Sequence, residues 1–337
     1  MKNKLSSALK YLLFLSIGIG LLILAFKGQD IKKIYNEIKQ ANYFWIALSL
    51  AVSFFAYLSR AYRWNMLIAP LGYKPKLKNS FYSLMVGYLA NLAIPRIGEV
   101  SRCASLSEAE KIPFTVLIGT VIIERIIDVV TLLLFILLLG ITKFDLFEHF
   151  ILDKIIHPVY DKLIIHSQLL ILVGIAAILV LIVSWIYIRK NKIGSNSIYN
   201  RLNRFLIDIV QGIKTVMRMK NNLAFLAHTL FIWSMYFLTT YLCFFSIDAT
   251  SNLGVNAGLF TLVIGAIAMS APVQGGFGTY HLFTSQGLTL FGVSQTHGLI
   301  YATIVHSSQT LFAILLGGIS FFLLLLLAKK NIQNVKP

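Results

Sequence analysis

The stretch NLAIPRIGEVSR, residues 91–102, closes an apolar run with a proline, a glycine, two arginines and a glutamate. If residues 79–94 are an ordinary membrane span, the chain crosses at this point; if the broken segment is the tip of a hairpin, it turns back. That the setting is a membrane follows from composition. The 337 residues are 57% hydrophobic and 13% charged, with a mean hydropathy of +0.77, which is more apolar surface than a soluble domain can bury. Several runs approach the roughly 20 apolar residues that cross a bilayer. A backbone facing lipid must satisfy its own hydrogen bonds, so the fold class is all-α, a polytopic integral membrane protein.

Six clear spans are predicted, at about 11–26, 43–59, 114–140, 167–188, 223–246 and 298–327. The first follows Lys2, Lys4 and Lys10 as a signal peptide would, but KGQD succeeds it in place of a small-residue cleavage site, so it reads as an uncleaved span. Two further apolar regions, 79–94 and 258–271, each run into a polar Gly/Pro segment and then a short helix-like stretch. As simple spans they place the loop at 189–222, with eight Lys/Arg against Asp208, outside, contrary to the positive-inside rule. As re-entrant helical hairpins they leave 19 Lys/Arg inside and seven outside.

Six spans plus two re-entrant hairpins give about eight membrane segments in one transmembrane domain, 1–337. Both termini are then cytoplasmic, in the cytoplasmic membrane of a bacterium. The element order of a first repeat, 11–140, recurs in a second, 167–327, with the hairpin entering from the other side. Such an inverted repeat marks transporters, with the site near the midplane between the breaks. The amphipathic segments IKKIYNEIKQ (31–40) and RFLIDIVQGIKTVMRMK (204–220) precede matching spans, and each reads equally well as a plain interfacial linker.

The net charge of +17 comes from Lys and Arg in short loops, which suits orientation and anionic headgroups; no nucleic-acid partner is expected. Cys103 and Cys243 lack metal-like spacing, so no disulfide, metal or cofactor is expected. In the second break, SAPVQGGFGTYH (270–281), Pro272 removes a helix hydrogen bond and Gly275, Gly276 and Gly278 allow tight turns. Free amides at such a break suit an anion such as phosphate, although the same residues also serve helix packing. In the first break, Arg96 and Arg102 supply cations and Glu99 an anion.

IIERIIDVV (122–130) places Glu124, Arg125 and Asp128 within the 114–140 span, two of them on one helix face and the arginine three residues from the aspartate. Each costs roughly 2.5–3.5 kcal/mol at mid-bilayer, so the three must face the interior, a water-filled cavity or one another. Two readings stand: an ion-pair cluster holding the two hairpins, or a polar site that binds a charged headgroup or titrates. SRAYRWNML (59–67) puts Arg60, Arg63 and Trp64 where the second span is expected to leave the membrane, as interfacial anchors or lipid-phosphate contacts. His228, and His306 with Ser307, Ser308 and Gln309, read as interhelical hydrogen-bonders ahead of proton carriers.

Four motifs carry a resemblance: R-x-x-R-W at Arg60, Arg63 and Trp64; N-x-x-x-P-x-x-x-G-E-x-x-R at Asn91, Pro95, Gly98, Glu99 and Arg102; E-R-x-x-D at Glu124, Arg125 and Asp128; and P-x-x-G-G-x-G at Pro272, Gly275, Gly276 and Gly278. Together and in this order they resemble the lysylphosphatidylglycerol synthase transmembrane-region family, also described as flippase-like. Where that pattern often has a glutamate after the glycine-rich break, this chain has Thr279, Tyr280 and His281, so a charge there is absent or depends on pH. Longer members add a soluble aminoacyl-transferase domain, which is not expected here. The resemblance therefore implies a lipid flippase or translocator, not an enzyme, moving a phospholipid-type, aminoacylated or glycosylated lipid. Its path would be lined by Arg96, Glu99, Arg102, Glu124, Arg125, Asp128, the 272–278 break and His281. Membrane lipids are the expected partners, together with a separate lipid synthase or glycosyltransferase. Two alternatives stay open: an intramembrane lipid-modifying enzyme with Glu99 or Glu124 as general base, and a scaffold for a separate synthase.

Overall fold

The computed structural model describes residues 15–142 and 221–333. The expected span at 167–188 and the amphipathic segment at 204–220 lie outside the described residues. The chain divides into a unit of 1–138 with 218–337 and a second unit of 139–217; the contacts and the site all lie in the first.

The described residues are helical and contain no strand. They form α1 (Leu15–Phe26), α2 (Ile31–Gln40), α3 (Tyr43–Ile68), α4 (Leu77–Ala93), α5 (Gly98–Glu110), α6 (Phe114–Thr142), α7 (Asn222–Leu242), α8 (Asp248–Ser251), α9 (Val255–Met269), α10 (Thr279–Thr289) and α11 (Gln295–Gln333). Among the described residues three stretches are long and apolar enough to cross a membrane: Tyr43–Leu71, Asn222–Ser246 and Gln295–Leu327. This is the all-α polytopic membrane class that composition demanded.

Local chemistry sets the ends. Asp30 caps α2 by accepting from the Lys33 amide at 3.0 Å, and Asn42 caps α3 through the Phe44 amide at 3.1 Å. The helix α3 runs past the expected exit at 59 to Ile68, and Pro70 with Gly72, at φ 90°, ends it. Its 26 residues span roughly 39 Å.

Both broken regions fold as helix–break–helix pairs whose arms run back along each other. In the first, the Glu110 carboxylate at the end of α5 accepts from the Lys76 amide (3.0 Å) and Asn79 Nδ2 (2.6 Å) at the start of α4. At the tip, the Gly98 amide donates to Asn91 Oδ1 at 2.7 Å, and a Cβ on Gly87 would sit 2.8 Å from the Gly98 carbonyl oxygen. In the second pair, Gly265 of α9 faces Tyr280 of α10, while Gly287 faces Phe260 and Ile264.

The helix α11 packs along both pairs. Gly298 lies against Ser285 of α10, His306 Nε2 meets the Gly275 carbonyl at 2.7 Å, and Gly317 lies against Met85 and Leu89 of α4. Passing along α11, the second pair is met from base to tip and the first from tip to base. The two tips themselves touch: Arg96 Nη2 donates to the Ser270 carbonyl at 2.9 Å, and Leu92 fills the side of Gly275.

Candidate functional site

Because α3 continues to Ile68, Arg60, Arg63 and Trp64 lie inside the helix bundle and not at an interface. Arg63 and Trp64 are fully buried and Arg60 is buried, which corrects the interfacial placement expected from SRAYRWNML. They sit on the α3 face that meets Glu124, Arg125 and Asp128 of α6 and Arg102 of α5. Glu124 is ten residues into α6, about 15 Å along it.

Glu124 organises the group. It accepts from Arg60 Nε (3.1 Å) and Nη2 (2.9 Å), from Arg102 Nη1 at both carboxylate oxygens (3.3 and 3.1 Å), and from Arg125 Nη2 (2.5 Å). Asp128 accepts from Arg63 Nη2 at 2.7 Å and pairs with Arg125 at 2.8 Å, the contact its three-residue spacing predicts. Arg60 also donates to the hydroxyls of Tyr88 on α4 (2.8 Å) and Tyr236 on α7 (3.1 Å), and Arg63 donates to Thr229 on α7 (3.2 Å). The Arg102 guanidinium lies 4.8 Å from the Trp64 ring centroid, and Trp64 Nε1 donates to Thr120 at 2.9 Å.

The cluster joins α3, α4, α5, α6 and α7. It takes in the first helix pair; among the described residues the second contributes no ion pair to it. Among the described residues four guanidiniums face two carboxylates, two positive charges in excess, in a setting where Glu124 and Arg63 have no solvent exposure. Arg63 Nε, Arg102 Nε and Nη2, and Arg125 Nε are buried with no hydrogen-bond partner among the described residues. The exposed edge is formed by Arg125 and Asp128, whose side chains are 38% and 19% accessible. An excess of cations with unfilled guanidinium donors suits phosphate or another oxyanion, which arginine binds in bidentate fashion. Glu124 is a poor fit to a general base, since its oxygens are already shared among three arginines.

The other expected residues separate. Arg96, at φ 62°, is exposed and spends its guanidinium on Ser270 of the second tip, while Glu99 is half-buried and makes no ion pair among the described residues. Pro272 opens the second tip, and Gly275, Gly276 and Gly278 all have positive φ, of 53°, 73° and 78°. Their open sides are taken by Leu92, by the Met269 sulfur and by the α1 backbone at Gly18 and Leu22, so these glycines serve close packing of the tip. His281 is 3% exposed and lies beside His306, away from the arginine group. His228 bridges helices as expected: its Nδ1 is 2.8 Å from Ser59 Oγ, at the wall of an apolar groove of about 460 Å³ between α3 and α7.

Sequence reading missed Tyr88, Tyr236 and Thr229, which carry no motif and enter only through helix packing. It also set Arg60 and Arg63 apart from the acids they serve. The arithmetic of charge could have joined them, since carboxylates inside a span require cations and these arginines stand one turn apart on the preceding span.

The family described as Lysylphosphatidylglycerol synthase TM region matches residues 9–317. A relative from Methanocaldococcus jannaschii, the UPF0104 membrane protein MJ1595, is 31% identical over 162 residues. That alignment covers 46% of this chain and 47% of the relative, so the match spans about half the length of each. No solved structure matches.

Proposed function

The chain belongs to the family of the Lysylphosphatidylglycerol synthase TM region, and on that premise we propose that it moves a phosphate-bearing lipid headgroup across the cytoplasmic membrane. The observation that carries this reading is, among the described residues, the buried group of four arginines against two carboxylates, with guanidinium donors left unfilled. The headgroup phosphate docks on Arg102, Arg63 and Arg125, entering past the accessible Arg125–Asp128 edge. Glu124 and Asp128 hold the guanidiniums in place and spread the excess charge. The contact between the two helix tips, Arg96 to Ser270, lies where alternating access between inverted halves would open and close the path. Both termini lie inside, and cargo reaches the protein from lipid or from a separate synthase.

The test is purified protein in liposomes containing a fluorescent phospholipid, with transbilayer movement read by dithionite bleaching. The protein accelerates the movement. Arg125→Gln slows it about 10- to 100-fold, the worth of one charge-assisted hydrogen bond of ~1.5–3 kcal/mol. Unchanged rates for anionic, zwitterionic and aminoacylated phospholipids alike would sink the proposal.

A further inference from the structure

The second tip holds a group of titratable side chains outside the arginine cluster. His281 of α10 and His306 of α11 are 3% and 5% exposed, and their ring centroids are 4.9 Å apart. His306 Nε2 lies 2.7 Å from the Gly275 carbonyl, to which only an N–H can donate, so its Nδ1 bears the lone pair. That Nδ1 and the Nδ1 of His281 are both buried and unpartnered among the described residues.

Among the described residues the surroundings offer no counter-charge. From α1 the pair meets Phe26, with centroids 6.3 Å apart at His281; from the tip it meets Phe277, at 4.7 Å from His306. On α10 the facing titratable group is Tyr280, 5.5 Å from His306, and Cys243 and Tyr301 pack in the same buried cluster as Tyr280. From α4, Leu92 reaches the tip at Gly275. Among the described residues no Asp, Glu, Lys or Arg contacts either imidazole.

We propose that His281 and His306 form a proton-binding site that ties protonation to opening of the second tip. A proton on this pair is a full charge enclosed by aromatic and aliphatic groups, and such a charge is costly unless water or an anion reaches it. The closed tip, with Gly275 bonded to His306, Gly278 against α1 and Arg96 on Ser270, therefore goes with the neutral pair. The protonated pair goes with a tip drawn away from these contacts and wetted. This deepens the translocator reading on which it rests by naming protons as the coupled species. Protonation drives the tips apart as pH falls, and the population shift is at most about tenfold per pH unit for one proton.

The test uses the full chain in nanodiscs, with Cys103 and Cys243 replaced by alanine and spin labels at Ile94→Cys and Ile267→Cys on the two tips. Double electron–electron resonance at pH 8 and pH 5 reads the distance between them, and labelling before the pH change keeps thiol chemistry out of the result. A longer-distance population grows at pH 5, and His281→Gln with His306→Gln abolishes the change; glutamine at 306 keeps a donor for Gly275. A distance distribution that ignores pH, or a pH response that survives the double substitution, overturns the proposal. The liposome assay separates this from the translocator reading. A pH-driven distance change without lipid movement sinks the transport reading alone, whereas lipid movement with no pH-driven distance change sinks the proton site alone.

Discussion

Glu124 accepts hydrogen bonds from three arginines and pairs with a fourth, Arg63, at 3.7 Å, and its removal illustrates why such groups resist substitution. Glu124→Gln keeps the shape but leaves four guanidiniums facing one carboxylate, and breaking a buried ion group in this way costs about 3–5 kcal/mol. The protein should purify with a much lower Tm in detergent, and a Tm within a degree or two of wild type would show that Glu124 does not organise the cluster. Trp64 is the neutral counterpart. It is fully buried, supports Arg102 with its ring face and donates to Thr120. Trp64→Ala removes all three contributions and should cost about 3–5 kcal/mol, whereas Trp64→Phe keeps an aromatic face for Arg102 and should cost about 1–3 kcal/mol for the lost hydrogen bond and the smaller ring. Equal Tm values for the two variants would contradict this account. Glu124, Arg125 and Asp128 were legible as interior residues because three charges at mid-span have no other tolerable place. The depth of Arg60 and Arg63 was not. Their polarity imitated a helix end, while the true stop signal, Pro70 with Gly72, stood ten residues further on.

At the level of elements, the two helix pairs depend on glycines that let backbones touch. A Cβ on Gly98 would overlap the Gly87 carbonyl and the Asn91 amide that holds the tip, so Gly98→Ala must separate α4 from α5 at a cost of about 1–3 kcal/mol. Arg102 sits one turn beyond Gly98 and moves with α5, so the variant should lose lipid movement as well as stability. Gly119 on α6 is the control: no described residue lies within 4 Å of an added Cβ there, and alanine should raise helix stability by up to about 1 kcal/mol. Thermal melting and liposome rates of the pair check both statements, and a Gly98→Ala protein as stable as Gly119→Ala would disprove the packing argument. That both regions turn back was readable from loop charge and from Pro and Gly at the breaks. That their tips meet, through Arg96 and Ser270 and through Leu92 and Gly275, was not readable, because a contact between residues 174 positions apart leaves no local periodicity.

At the scale of the molecule, the order of contacts along α11 supports opposed entry of the two helix pairs. Gly298 meets the base side of the second pair, His306 its tip, and Gly317 the α4 arm of the first. A straight helix crossing a bilayer has its two ends on opposite sides, so arms that run toward its middle from either end start from opposite surfaces. Lys74, before α4, and Asn252, before α9, are exposed at the two bases, and the native thiols Cys103 and Cys243 are buried and add little background. Lys74→Cys should react with a membrane-impermeant maleimide only after permeabilisation, and Asn252→Cys should react in intact cells. Labelling of both from one side would remove the inverted arrangement. With it would go the argument that the touching tips form a gate, since two pairs entering from the same surface have no midplane between them at which cargo could change sides.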